Sequence, residues 1–268
     1  DYAFPAISNS YAYRNLNELG YALYNLNNHW KGTRFISNEE FNFYYEESVK
    51  SKQITLSYYI NLKTPYPGII RNLLEILTKK PSDFLSYNKK ACEIQKNKLK
   101  KLSDLSQNKN NGLFVFAHIL IPHPPFLLDA SGDCNSFSMH DPGSDLEANK
   151  HRYIEYMKFF NTQILDIFDA MLKINKNFIF IIQSDEGPDP CVYLDPCKDN
   201  WDLKTGNINA IYASNKLKIN ENDLKTPINN FNYIYKYLFE SDTQTLEHVV
   251  YKYRTKEEDG AFDFEEIN

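Results

Sequence analysis

The sequence predicts an α/β domain with a mostly parallel sheet, and three observations lead to this prediction. Segments of strand character alternate with segments of helix character along the 268 residues. Two continuous apolar runs, residues 113–121 and 178–182, have the composition of strands buried on both faces. The long amphipathic segment between them predicts a crossover helix, which would make the two strands parallel neighbours. A chain of this length can bury a large core, so one domain over residues 1–268 is the simplest organisation.

The first predicted element is a short helix from Ser10 to Leu19, which Gly20 ends. Residues 21–26 have strand composition, so this part of the chain predicts a helix that leads directly into a strand. Residues 27–66 are polar and aromatic without a sustained period, and they predict a loop with short elements.

Two helices are predicted before the first apolar strand. The apolar residues that follow Pro67 recur at helical spacing, and Pro81 ends that segment. A lysine-rich helix is predicted over residues 87–105, with its charges on a solvated face. A polar turn at residues 107–112 then leads into the strand.

The crossover helix begins with the capping-box spacing of Ser144 and Glu147. Its apolar side is predicted to consist of residues three or four positions apart, since these share one face of a helix. They are Tyr153, Tyr156, Phe160, Ile164, Ile167 and Met171. The polar residues 175–177 end this helix before the second apolar strand.

The last third of the chain predicts one more strand and one more helix. Residues 207–214 have strand composition, and Thr226 with Pro227 predicts a helix start that continues to about Phe239. The tail from Lys252 is charged and predicts irregular structure.

Composition limits the possible partners and location. The 30 basic residues against 35 acidic ones are scattered along the chain, which argues against nucleic acid as a partner. No stretch reaches the roughly 18 consecutive apolar residues needed to cross a bilayer, which predicts a soluble chain. The sequence begins at Asp1 without a methionine or a leader, and this predicts a piece of a longer protein.

The four cysteines include no pair at the spacing of a zinc knuckle. Cys191 and Cys197 lie close enough in sequence for a local disulfide in an oxidising compartment. Two free thiols at these positions are an equally good interpretation.

Candidate chemistry follows the two apolar strands. The first strand leads into a proline-rich turn around His123, and the second leads into a loop that contains Asp185 and Glu186. Ligands of parallel sheets bind beyond the carboxyl ends of the strands, so we expect these side chains to share one cavity. An imidazole and paired carboxylates there are typical of a metal or acid–base site.

Four segments resemble the sulfatase-like branch of the alkaline phosphatase superfamily, in their order and spacing as well as their residues. They are Ile-Leu-Ile-Pro-His-Pro-Pro-Phe, Ile-Ile-Gln-Ser-Asp-Glu-Gly-Pro, Asn-Ile-Asn-Ala-Ile-Tyr-Ala and the helix that starts at Thr226. This branch includes sulfatases and the phosphoglycerol and phosphoethanolamine transferases of bacterial envelopes. The resemblance extends from about residue 112 to the end, with a faint match at the Leu-Gly-Tyr joint of residues 19–21. It implies a three-layer α/β/α sandwich with a mostly parallel central sheet.

The resemblance also implies roles for individual residues. Asp185 matches a ligand of the family's divalent metal ion, while Glu186 replaces the family's histidine ligand. A second carboxylate would favour Mg, Mn or Ca over Zn. His123 matches the histidine that holds the sulfate or phosphate oxygens or assists the leaving group, so it is both a catalytic and a substrate-binding candidate.

The family's nucleophile and its first acidic metal ligand precede the Leu-Gly-Tyr joint. About 18 residues precede that joint here, and none of them matches either group. Either that half lies outside this sequence or the protein has lost it. The hydroxyls of Ser8, Ser10 and Thr33 lie in roughly the right region, although cap and loop roles suit them better.

Other polar residues carry weaker functional interpretations. His118 lies inside the apolar strand and is better explained as a core histidine. Three loop residues could line the site, and three further histidines have no supporting pattern. The first three are His140, Asp141 and Asp189, and the others are His29, His151 and His248.

Three functional hypotheses follow. The first is a metal-dependent hydrolase of sulfuric or phosphoric esters, or a transferase of phosphorylated headgroups, whose hydroxyl nucleophile is not identifiable here. Its substrate would be an anionic ester on a glycan or a lipid headgroup. The second is a non-catalytic module that binds such a group or a protein partner. The third is an unrelated α/β protein.

The resemblance implies an extracytoplasmic location and a membrane-anchored parent protein.

Overall fold

The computed structural model describes ten stretches of the chain, which fall into two compact units, residues 1–174 and residues 175–268. Each unit is described by itself. The described stretches are residues 10–27, 39–42, 82–109, 112–124, 126–135, 146–174, 177–188, 201–214, 227–255 and 262–267. No helix within these stretches is long and apolar enough to cross a membrane.

The first unit contains a helix followed by a parallel sheet. Helix α1 (Tyr11–Glu18) leads into strand β1 (Ala22–Asn27), as the sequence predicts. Strand β1 lies between β2 (Glu39–Asn42) and β3 (Leu113–Ala117), and both pair with it in parallel.

The joint between α1 and β1 depends on glycine. Gly20 has a φ of +82°, which allows the chain to leave the helix and turn at once into β1. Leu16 of the helix and Leu23 of the strand are buried together. Four aromatic side chains pack against this pair, namely Tyr13, Tyr21, Phe114 and Phe116. Burial of this small cluster fixes the angle at which the helix meets the sheet.

Two long helices follow among the described residues of the first unit. Helix α2 (Ser82–Ser106) contains the predicted lysine-rich segment, and helix α3 (Leu146–Ile174) contains the predicted crossover helix. The buried residues of α3 are Tyr156, Phe159, Ile164 and Ile167, which confirms three of the six predicted apolar positions, and Phe159 is buried where Phe160 was expected. The predicted helix between Pro67 and Pro81 lies outside the described residues.

A disulfide joins Cys92 of α2 to Cys134, 42 residues further along the chain. Cys134 lies in a tight turn in which Asp129 accepts hydrogen bonds from the backbone of Ser131 and Asp133. The sequence did not predict this pairing, because spacing alone cannot identify partners among four cysteines. Cys191 and Cys197, for which a local bridge was considered, lie outside the described residues.

The described residues of the second unit form two antiparallel strand pairs and two α-helices. Strand β4 (Ile179–Gln183) pairs with β5 (Asn209–Ala213), and the short helix α4 (Trp201–Thr205) precedes β5. A 3₁₀ turn (Pro227–Asn229) leads into helix α5 (Asn230–Leu238).

The end of the chain forms the second strand pair. Strands β6 (Val250–Thr255) and β7 (Phe262–Ile267) pair antiparallel over six residues each. The prediction of irregular structure from Lys252 is therefore wrong. In these segments aromatic and charged residues alternate, and this alternation predicts a strand with one solvated face. Such a strand tolerates charges, so the total charge of the tail does not exclude regular structure.

The prediction of a three-layer sandwich with a mostly parallel central sheet is wrong. The described strands form three separate sheets, of which only the three-stranded one is parallel. Strand β4 pairs antiparallel with β5 and does not continue the sheet of β3. Both β3 and β4 are half-buried rather than covered on two faces. An apolar run specifies a tendency to be buried, and it does not specify which strand becomes its neighbour.

Candidate functional site

The structure places the predicted site residues in two different units. His123 follows β3 in the first unit, and Asp185 with Glu186 follows β4 in the second. The predicted shared cavity required β3 and β4 to be neighbours in one sheet. The described strands place them in separate sheets, so this basis for a shared cavity is lost. We therefore describe the His123 turn and the Asp185 loop separately.

The imidazole of His123 is exposed and held by its own turn. Its Nδ1 lies 2.6 Å from the carbonyl oxygen of Pro124, and its backbone amide donates to the carbonyl of Leu120. A carbonyl oxygen can only accept, so Nδ1 must carry the proton. The other ring nitrogen, Nε2, then has a lone pair when the ring is neutral. This arrangement suits Nε2 for accepting a proton or binding a metal ion.

A buried lysine lies at the same end of the parallel sheet. The side chain of Lys98, on α2, is fully buried, and its Nζ donates to the backbone carbonyl of His118 at 2.8 Å. The amide of His118 in turn donates to the carbonyl of Leu26, the penultimate residue of β1. Burial lowers the pKa of Lys98 to about 7. Strongly perturbed groups at the carboxyl end of a parallel sheet are candidates for functional sites.

The sequence prediction of a solvated lysine face on this helix is wrong for Lys98. The signal that could have identified it is the spacing of buried positions on α2, where Cys92, Gln95 and Leu99 follow one another at helical intervals. Lys98 adjoins Leu99 and lies three positions after Gln95, so it falls within this stripe. Composition counts a lysine as solvated, whereas its position on the helix decides whether it is buried.

The loop after β4 presents both of its carboxylates to solvent. Asp185 and Glu186 are exposed. The loop is anchored on either side of them, since Ser184 exchanges hydrogen bonds with the backbone of Ile208 and the amide of Gly187 donates to the carbonyl of Lys204 at 2.8 Å. The two acidic side chains therefore project from a defined turn.

Metal-ligand geometry is incomplete around these carboxylates. In the stretches that the structure describes, no third histidine, cysteine or acidic ligand atom groups with Asp185 and Glu186. One group of three potential ligands does occur there, formed by Cys92, Glu93 and Cys134. Its two sulfur atoms are joined in the disulfide, so neither is available as a thiolate ligand.

Gly187 allows the close contact between this loop and helix α4. A Cβ atom at this position would lie 1.8 Å from the carbonyl oxygen of Leu203. That oxygen belongs to the backbone, so a substitution would push the loop away from α4. We expect Gly187→Ala to lower the free energy of unfolding by about 1 to 3 kcal/mol, measured by urea denaturation.

Gly20→Ala provides the control for this prediction. Gly20 has a positive φ but open space around its Cα, so the substitution costs only backbone strain, about 1 kcal/mol. A Gly187→Ala variant as stable as the parent chain would show that the loop does not approach α4 so closely.

Two consecutive buried asparagines organise the second unit. Asn230 donates from Nδ2 to Gln183 of β4 at 2.8 Å and to Asn209 of β5 at 2.7 Å. Asn229 donates to the carbonyl of Leu246 and accepts from its amide. The sequence predicted only a helix start here, because asparagine near a helix terminus usually acts as a cap. No side-chain cap is made, and both side chains bind other elements instead.

The remaining candidates gain no support. Ser10 is the N-cap of α1 but makes no side-chain cap bond. His151, on α3, and His248, before β6, are exposed. The other candidates lie outside the described residues, namely Ser8, His29, Thr33, His140, Asp141 and Asp189.

Comparison of the chain with protein-family models, with curated proteins and with solved structures found no match. The resemblance to the sulfatase-like branch therefore stays a prediction.

Proposed function

We propose that the chain is part of a metal-dependent enzyme that hydrolyses or transfers sulfuric or phosphoric esters. His123 is the proposed acid–base residue of the first unit, and Asp185 with Glu186 are proposed, as a separate assignment, to bind a divalent metal ion in the second unit. The substrate class is an anionic ester on a glycan or a lipid headgroup. The observation that supports the proposal most is the Nδ1 contact of His123 with Pro124, which leaves Nε2 exposed beyond the end of β3.

The chemistry of His123 follows from this contact. A neutral ring with its proton on Nδ1 can accept a proton at Nε2 and later return it to an ester oxygen. The flanking prolines restrict the backbone of the turn, and the bond from Nδ1 to the carbonyl oxygen of Pro124 orients the ring. These properties suit a general base or a group that assists the departure of an alcohol.

The metal site would use the two carboxylates after β4. Carboxylate oxygens are preferred ligands of Mg, Mn and Ca, and such ions take about six or more oxygen ligands. Asp185 and Glu186 fit part of such a shell, and water or substrate oxygens would have to supply the rest. A divalent ion held there would polarise an oxygen atom bound to it.

An extracytoplasmic location is part of this proposal. The Cys92–Cys134 disulfide supports it, because structural disulfides persist in oxidising compartments and are rare in the cytosol.

Replacement of His123 tests the proposed chemistry. We expect His123→Ala to lower kcat/KM for 4-nitrophenyl sulfate or 4-nitrophenyl phosphate by about 10² to 10⁴, which is the usual contribution of general acid–base catalysis. His151→Ala is the matched control, because it removes another exposed imidazole, on α3. If kcat/KM is unchanged in His123→Ala, the acid–base role of His123 is contradicted.

Metal binding can be tested without turnover. We expect Asp185→Asn to weaken Mn²⁺ binding at least about tenfold in isothermal titration calorimetry, because a carboxylate ligand is lost. Asp242→Asn removes an exposed carboxylate elsewhere in the same unit and should have no effect. Equal affinity in all three proteins would place the ion elsewhere or exclude this site.

A non-catalytic binding module is the second candidate. It is favoured by the lack of a third metal ligand near Asp185 in the described stretches, and by Glu186 at the position where the resemblance implies a histidine ligand. Such a module would bind a sulfated oligosaccharide but turn over neither aryl ester with Mn²⁺ present. Turnover that is lost on chelation would decide for the enzyme.

A further inference from the structure

The second unit contains a cavity that is separate from the exposed carboxylates of the β4 loop. Its volume is about 360 Å³, and it lies at the end of β4. Among the described residues, two with carboxamide side chains, one with a carboxylate and three aliphatic ones line it. They are Gln183, Asn207, Glu247, Pro227, Ile228 and Val249. These described lining residues include no basic one, so they favour a cationic or neutral ligand over an anion.

The buried residues Asn229 and Asn230 form hydrogen bonds to residues at or next to this cavity. Asn230 binds the Oε1 atom of Gln183, and Asn229 binds both backbone groups of Leu246, the residue before Glu247. Both asparagines are at least nine-tenths buried. Their hydrogen bonds therefore hold the side chain of Gln183 and the backbone next to Glu247 before any ligand arrives.

These lining residues offer opposite hydrogen-bonding groups. The Oε1 atom of Gln183 already accepts from Asn230, so its Nε2 group remains as a donor. The Glu247 carboxylate is exposed, and no ion pair with it occurs in the part of the chain that the structure describes. A ligand that binds both the Gln183 amide and the Glu247 carboxylate would carry a cationic donor for the carboxylate and an oxygen acceptor for the amide.

We propose that this cavity binds a small amino alcohol, or a larger molecule that carries such a group. The ammonium group lies against the Glu247 carboxylate, and the oxygen accepts a hydrogen bond from Nε2 of Gln183. The carbon chain of the ligand contacts Pro227, Ile228 and Val249. This inference does not rest on the ester chemistry proposed above, because it uses neither His123 nor Asp185 and Glu186.

Three probes of equal chain length test the charge preference with the full chain. They are 4-amino-1-butanol, the neutral 1,4-butanediol and the anionic 4-hydroxybutyrate, each titrated while the side-chain amide signals of Gln183 and Asn207 are followed by NMR. The expected result is a saturable shift of both signals with the amino alcohol and a weaker response to the other two. An equal or stronger response to the diol or the hydroxybutyrate overturns the proposal.

Two variants locate the binding. Glu247→Gln is expected to weaken binding of the amino alcohol about threefold to fivefold, as for the loss of an exposed ion pair. Ile228→Trp, at a side chain that is 53% exposed, should block the cavity and abolish the shifts. Glu266→Gln on β7 is the control for loss of a surface charge and should bind as the parent does. Unchanged affinity in Glu247→Gln overturns the proposal even if Ile228→Trp does not fold.

Discussion

Removal of the Cys92–Cys134 disulfide is expected to lower the free energy of unfolding by about 4 kcal/mol. The estimate follows from the entropy that a cross-link removes from the unfolded chain, which grows with the length of the closed loop, here a separation of 42 residues. Cys92 is also fully buried, so its replacement must preserve volume as well as remove the bond.

The Cys92→Ala, Cys134→Ser double variant separates these two contributions. Its urea midpoint should fall well below that of the oxidised parent and lie close to that of the parent treated with a reductant. Any remaining difference between the double variant and the reduced parent measures packing at Cys92. An oxidised parent no more stable than its reduced form would contradict the predicted contribution of the cross-link.

Stability is expected to rise with pH between about 7 and 9.5 because of Lys98. Burial lowers the pKa of Lys98 to about 7 in the folded chain, whereas an unfolded lysine titrates near 10.4. Between these values unfolding takes up one proton, so the free energy of unfolding increases by up to about 1.4 kcal/mol per pH unit. Below pH 7 both states are protonated, and the full cost of the buried charge is present.

Two tyrosines set the upper limit of this window. Burial raises the pKa of Tyr13 to about 12 and also raises the pKa of Tyr156. Above about pH 10 the unfolded tyrosines ionise while the folded ones do not, so stability falls again. Urea denaturation from pH 7 to 9.5 therefore isolates the contribution of Lys98.

Substitution of Lys98 completes the test. Lys98→Met retains an aliphatic chain and cannot titrate, so its stability should lack the rise with pH. Lys100→Met is the matched control, because Lys100 is 74% exposed and pairs at the surface with Asp104 at 3.0 Å. A rise of equal slope in the parent and in Lys98→Met would contradict the assignment to Lys98.

Local elements of the fold were predictable from sequence where one short signal decides the conformation. The helix-to-strand joint at Gly20 is such a case, since a glycine after an amphipathic helix predicts its end. The long helix α3 is another, because its predicted apolar residues recur at helical spacing from Tyr153 to Met171 and the buried ones include Tyr156, Ile164 and Ile167.

Sheet pairing and the candidate site were less predictable, because both depend on contacts distant in sequence. Strand β4 has the composition expected of a buried parallel strand, yet it pairs antiparallel with β5. Which strand becomes a neighbour is decided by the packing of whole elements, which no local pattern encodes. The burial of Lys98 was missed for a different reason, because composition counts a lysine as solvated although its spacing from Gln95 places it in the buried stripe of α2.

The disulfide gives the His123 turn a second covalent connection to helix α2, besides the peptide backbone. Residues 92 and 134 bracket strand β3 and His123, so both belong to a covalent ring closed by the sulfur–sulfur bond. A protease that cuts one peptide bond inside this ring leaves the two fragments joined, and the imidazole stays tethered to helix α2. Backbone cleavage there releases a fragment only after the bridge is reduced.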